Sequence, residues 1–177
     1  ITPYTIYKYD IINNKSEIYN TSKISFDSKK YILKQEFYFS KDGTKIPIFL
    51  CHKRGLKMDG KRPTLLYGYG GFNISIEPYF NKSNSVLFEN DGVYAIANIR
   101  GGGEYGQKWH EEGRLENKQN VFDDFIYAAK YLMNSNITSK NFLGIQGQSN
   151  GGLLIGAVLN QRPDLFKVAF PEVGVMD

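Results

Sequence analysis

The feature that most constrains this chain is the hexapeptide Gly147-Gln148-Ser149-Asn150-Gly151-Gly152. It lies between Phe142-Leu143-Gly144-Ile145-Gln146, which reads as a strand, and Leu153-Leu154-Ile155-Gly156-Ala157, which reads as an apolar helix. A chain that turns from strand to helix within so few residues brings the two elements almost into contact at the corner. A side chain two residues before or after the serine would clash with the neighbouring strand or helix, and glycine stands at both places, 147 and 151. The serine is left on a tight, strained turn that pushes its hydroxyl out above the sheet.

The rest of the sequence supports a sheet for this turn to sit on. From about residue 63 apolar runs alternate with helical patterns. Thr64 to Tyr69, Val93 to Ile99, Asn141 to Gly147 and Lys167 to Phe170 read as strands, and Gly152 to Leu159 as a helix opened by glycines. Val121 to Met133 carries apolar residues at 121, 122, 125, 126, 129, 132 and 133, one face of a second helix. Asn120 is expected to cap it, with Asp123 and Asp124 in the first turn, where the helix dipole favours acids. This alternation predicts an α/β fold with a mostly parallel sheet and helices on both faces. The first fifty residues differ. Tyr4 to Tyr9, Ser16 to Tyr19 and Tyr31 to Phe39 are rich in β-formers and separated by polar turns. Asp42-Gly43 marks a hairpin, and Pro47 is expected on an edge strand or where no ladder donor is needed.

The hexapeptide fits G-x-S-x-G, the elbow of a serine nucleophile. The backbone N–H of Asn150, at the start of the helix, can donate to the oxyanion of a tetrahedral intermediate. The competing reading is a glycine-rich turn that cradles a phosphate. The dinucleotide version needs G-x-G-x-x-G directly after the strand, and the turn at Ser149 does not supply it. A second glycine-rich segment, Leu66-Tyr67-Gly68-Tyr69-Gly70-Gly71-Phe72, follows an earlier strand. A tyrosine hydroxyl from it could serve as another oxyanion donor, although spacing alone reads Tyr67 and Tyr69 as packing residues. Gly101-Gly102-Gly103 reads as a loop needing unusual backbone angles. The single cysteine, Cys51, sits in a strand-like run with no reactive-cysteine signature. The net charge of +4 is scattered, so no nucleic-acid surface is expected, and no run of 18 apolar residues suggests a membrane span. No metal-ligand cluster and no cofactor are implied.

Several segments together resemble the prolyl oligopeptidase family. They are Tyr67-Gly-Tyr-Gly-Gly-Phe-Asn-Ile-Ser, Asn98-Ile-Arg-Gly-Gly-Gly-Glu-Tyr-Gly, Asn117-Lys-Gln-Asn-Val-Phe-Asp-Asp-Phe, Gly147-Gln-Ser-Asn-Gly-Gly-Leu-Leu, Asn160-Gln-Arg-Pro-Asp-Leu-Phe and Val173-Gly-Val-Met-Asp. Ser40-Lys-Asp-Gly-Thr-Lys-Ile-Pro carries the likeness back through the hairpin. The resemblance implies an α/β-hydrolase fold, incomplete in this chain. Residues 1–30 would be the end of a β-propeller with its return segment, and 31–177 the N-terminal part of the catalytic domain. It implies a cytoplasmic serine endopeptidase that cleaves short proline-containing peptides on the carboxyl side of proline. Ser149 would be the nucleophile, Asn150 (backbone N–H) and Tyr69 (hydroxyl) the oxyanion hole, and Phe72 and Val175 the lining of the proline pocket. No nucleic acid, membrane or cofactor enters this scheme.

One departure matters. The triad of this fold runs serine, then acid, then histidine along the chain. The two histidines, His52 and His110, both precede Ser149 and read as ordinary surface or structural residues. The start at Ile1, without an initiator methionine, reads as a cut from something longer, and the chain alone is expected to be inactive and to expose an apolar sheet edge. Two alternatives remain: a related peptidase or esterase of other specificity, or a non-catalytic remnant serving as an interaction module.

Overall fold

The β-formers of the opening segment do form strands. In the computed structural model, which describes residues 4–22 and 26–176, β1 (Thr5–Asp10) and β2 (Lys15–Thr21) make an antiparallel hairpin. Its turn is held by the Asp10 carboxylate, which accepts from the N–H groups of Ile12 (2.9 Å) and Asn13 (3.1 Å). This two-stranded sheet pairs with no other described strand, and Tyr7, Tyr9, Ile18 and Tyr19 all lie exposed on it.

A second hairpin joins β3 (Tyr31–Phe39) to β4 (Lys45–Lys53) through the expected Asp42-Gly43 turn. Gly43 has φ +82°, and Asp42 accepts from the Thr44 N–H at 3.0 Å. The remaining elements alternate as β5 (Thr64–Gly68), α1 (Asn84–Glu89), β6 (Val93–Ala97), α2 (Gln107–Glu111), α3 (Lys118–Asn134), β7 (Leu143–Gln148), α4 (Asn150–Gln161) and β8 (Val168–Glu172). They build one six-stranded sheet in the order β3-β4-β6-β5-β7-β8. The hairpin enters antiparallel to β6, and β6, β5, β7 and β8 run parallel, as helical crossovers require. The short helices α1 and α2 carry too few residues for a periodic signal and were not legible in the sequence.

Alternation sorts the side chains by face. Ile46, Ile48 and Leu50 of β4, Leu66 of β5, Ala95 of β6 and Ile145 of β7 join Phe125 and Leu132 of α3 and Leu154 and Val158 of α4 in one buried cluster. On the opposite face Leu33, Phe49, Cys51 and Tyr94 meet Phe80 and Phe88 of α1 and the loop before it. Cys51 is 2% exposed, and burial pushes its thiol up to about 11, so it packs as an apolar residue. His52 is buried too, its Nδ1 2.9 Å from the Lys53 carbonyl oxygen.

Of three expectations, the one for Pro47 holds in its second form and two need correction. Pro47 is not on an edge strand, because β4 lies between β3 and β6. It sits just past the last β4–β6 pair, Ile48↔Ala97, where its carbonyl accepts from Asn98 N–H at 3.0 Å and its lack of a donor interrupts nothing. Asn120 does not cap α3. A 3-10 turn at Leu115–Asn117 feeds straight into the helix, which starts at Lys118, and the Asn120 side chain donates instead to the Glu112 carbonyl at 2.9 Å. Asp123 and Asp124 consequently fall beyond the first turn, and Asp124 is fully buried.

Candidate active site

The corner between β7 and α4 has the geometry its glycines anticipate. A side chain at Gly147 would run into the carbonyl of Gly151, and one at Gly151 would sit 2.7 Å from the Gly68 carbonyl oxygen. The corner thus packs backbone against backbone with β5 beside it. Ser149 has φ +57° and ψ −117°, a conformation that costs a non-glycine residue about 1–3 kcal/mol. Its N–H donates to the Glu172 carbonyl of β8 at 2.9 Å, and its carbonyl accepts from Leu153 N–H at 3.2 Å. These bonds hold the strained residue at the end of the sheet with its side chain exposed. Asn150 follows as the first residue of α4, so its N–H is one of the helix donors without an intrahelical partner.

The Tyr67-to-Phe72 loop reaches this corner from the end of β5, and Asn150 ties the two together. Its side-chain amide donates to the Tyr69 carbonyl at 2.7 Å. Its amide oxygen accepts from Lys118 Nζ at 3.3 Å, and the same ammonium donates to the Gly70 carbonyl at 3.1 Å. A side chain at Gly71 would overlap the Asn150 amide, so this close approach needs glycine. Gly70 takes φ +62° and abuts the Gly101-Gly102-Gly103 loop, where Gly101 takes φ +90°. Tyr69 is half-buried over the first turn of α4. Phe72 and Asn73 follow at φ +54° and +56°, and Glu104 braces the loop by accepting from Ile76 N–H (3.0 Å) and the Asn98 amide (3.0 Å).

The structure joins three of the five candidate residues at this corner. Ser149, Asn150 and Tyr69 form one cluster. Phe72 lines a cleft with Asn150 but is 72% exposed. Val175, 73% exposed, lies on the segment after β8, which rests on α4 through Gly174 against Gly152. Asp177 lies outside the described residues. Among the described residues, no side chain hydrogen-bonds the Ser149 hydroxyl. His110 is engaged elsewhere, its Nδ1 2.7 Å from the Gly101 carbonyl and 3.1 Å from Asn73 N.

Two residues beneath the loop were not singled out in the sequence. Arg100 is 2% exposed and bonds both oxygens of Asp124 (2.9 and 2.6 Å) and one of Asp42 (2.6 Å). Ser40 Oγ donates to Asp124 at 2.5 Å, and Tyr38 donates to its carbonyl at 2.8 Å. Burial works against charge on the guanidinium, but the bonds to Asp124 and Asp42 outweigh it and raise its pKa. Lys118 is half-buried, and burial lowers its pKa. Sequence could have flagged Arg100 only as a charge at the end of an apolar strand.

Comparison with known proteins follows this geometry closely. A family model described as "Prolyl oligopeptidase family" matches residues 78–177. The prolyl endopeptidase of Elizabethkingia miricola is 55% identical over 177 residues, covering 100% of this chain and 25% of its own length. A post-proline cleaving enzyme from Rickettsia typhi superposes with a TM-score of 0.93 at 45% identity, covering 99% of this chain and 25% of that one. Oligopeptidase B from Trypanosoma brucei, with covalently bound antipain, gives 0.87 at 42% identity, covering 95% and 24%. The chain spans about a quarter of the length of these relatives.

Proposed function

We propose, because the chain belongs to the prolyl oligopeptidase family, that it is the nucleophile-bearing part of a serine endopeptidase acting after proline. Residues 31–177 would be the first part of the catalytic domain, and residues 1–30 the end of a propeller and its return. In this reading Ser149 attacks the carbonyl on the acyl side of the scissile bond and forms an acyl-enzyme that water releases. The negative charge of the tetrahedral intermediate is taken by Asn150 N–H and the Tyr69 hydroxyl, each such donor being worth about 3 kcal/mol of barrier. Phe72 and Val175 offer apolar surface to proline, and the acid and base come from elsewhere in the protein. Substrates are proline-containing oligopeptides, and the site of action is cytoplasmic.

The observation that carries this reading is the strained Ser149 held by Glu172 while Asn150 bonds the Tyr69 loop to the same corner. Strain persists where the surroundings over-determine it, and here both putting the hydroxyl forward and bringing up donors make use of it. The test uses the protein at its natural length. Ser149→Ala should lower turnover of a Gly-Pro reporter by more than about a thousandfold and abolish fluorophosphonate labelling. Unchanged turnover would sink the assignment. A reporter cleaved after arginine but not after proline would move the specificity to a relative's.

A further inference from the structure

A cleft of about 520 Å³ opens beside the Asn150 corner, within the size range of small-ligand sites. Phe72 and Leu115 give it apolar walls, and His110, Arg114, Lys118 and Asn150 supply its polar ones. No carboxylate among the described residues lines it. Of its two cations, the arginine is unlike the other four arginines of the chain. The arginines at 62, 100 and 162 are each paired with an aspartate, and Arg54 donates to the Lys29 carbonyl. The Arg114 side chain has no hydrogen bond or ion pair among the described residues. Lys118 has only two neutral partners, the carbonyl oxygens of Gly70 and Asn150, although it is half-buried. A partly desolvated ammonium without a counter-ion is unfavourable, and an anion entering the cleft would relieve it.

We infer that this cleft is a subsite for a carboxylate of the peptide substrate, with Arg114 at its rim and Lys118 at its base. The inference rests on the reading of Ser149 as the nucleophile, because it is Asn150 that joins the cleft to the reacting corner. The arginine fork suits the two carboxylate oxygens, and the ammonium supplies a point charge deeper in. The carboxylate can come from an acidic residue on the acyl side of the proline bond or on the leaving side.

Four end-blocked, quenched Gly-Pro peptides separate these sources. One pair carries aspartate or asparagine on the acyl side, the other pair on the leaving side. With the protein at its natural length, kcat/KM for aspartate should exceed that for asparagine by about threefold or more in one pair. That ratio should fall towards one in Arg114→Gln and at high salt. Ratios near one in both pairs, or a preference that Arg114→Gln leaves intact, overturn the inference. The same pairs are also measured for binding to Ser149→Ala by fluorescence anisotropy. If no peptide is cleaved, the post-proline reading fails, and the binding ratio alone decides whether the cleft takes a carboxylate.

Discussion

Arg100, next to Gly101, and Lys118, bonded to the Gly70 carbonyl, both border the contact between the Gly70 and Gly101 loops, and their surroundings are opposite. Arg100 is buried against Asp124, which also accepts from Ser40, and reaches the half-exposed Asp42, so that three of its guanidinium N–H groups bond carboxylate oxygens. Lys118 is half-buried against neutral carbonyls and faces open space. A buried charge that is fully paired contributes rigidity and asks nothing of a ligand. One that is left unpaired is a cost to the fold unless something else meets it. The first arrangement holds the two glycine loops in place, and the second sits where substrate would enter. The pKa directions agree with this: the carboxylates raise that of Arg100, whereas burial lowers that of Lys118.

The contrast is broken most severely at Asp124. Asp124→Ala would leave Arg100 buried beside an empty site, and the loss should be about 3–5 kcal/mol in urea unfolding of the protein at its natural length. A loss below 1 kcal/mol would show that the network is not what holds the loops. Lys118→Met should cost the fold far less, about 1 kcal/mol or under, because no ion pair is broken. Its effect should appear instead in kcat on a Gly-Pro reporter, through loosening of Asn150. Equal stability losses in the two variants would erase the distinction. The smallest effect concerns acid. Burial works against ionisation of Asp42, but hydrogen bonds to Arg100 and Thr44 outweigh it and hold the carboxyl down to about 2. A depressed carboxyl contributes stability that is complete above its unfolded pKa of about 4 and fades as the pH falls towards 2. Asp42→Asn should remove this slope between pH 4 and 2. Because Asp42 is nearly half exposed, the change should be small and weakened by salt.

The hairpin of β1 and β2 offers a second contrast with the main sheet. Both are built from β-formers, yet only the second has a buried face. Alternating tyrosines and isoleucines announce strands in either case, because β propensity is local. Whether a face is buried depends on what packs against it, and the described residues provide no cover for Ile6, Tyr7 or Tyr9.

The elbow was legible because its constraint is short in sequence. Gly147, Ser149 and Gly151 lie within five positions, and a tight strand-to-helix turn admits few residue types there. The mostly parallel sheet followed from strand and helix periods, and the Asp42-Gly43 hairpin from its turn residues. The start of α3 was misplaced by three residues, since apolar periodicity begins at Val121 while the helix grows out of a preceding 3-10 turn. Nor could the acids of that helix be read correctly. Asp124 reads as a dipole-favoured acid of the first turn, and it is the buried partner of a residue 24 positions earlier.

The sequence by itself determined the elbow, the class of fold and the family, because these rest on steric rules and spacings carried within a few neighbouring residues. Only the tertiary structure decided that Asn150 is bonded to a loop 81 positions before it, that Arg100 is neutralised and that Lys118 is not. The physical reason is that a charge or an amide acquires its role from desolvation and from partners within about 3 Å. Those partners are chosen by the order in which strands assemble, which no local pattern records.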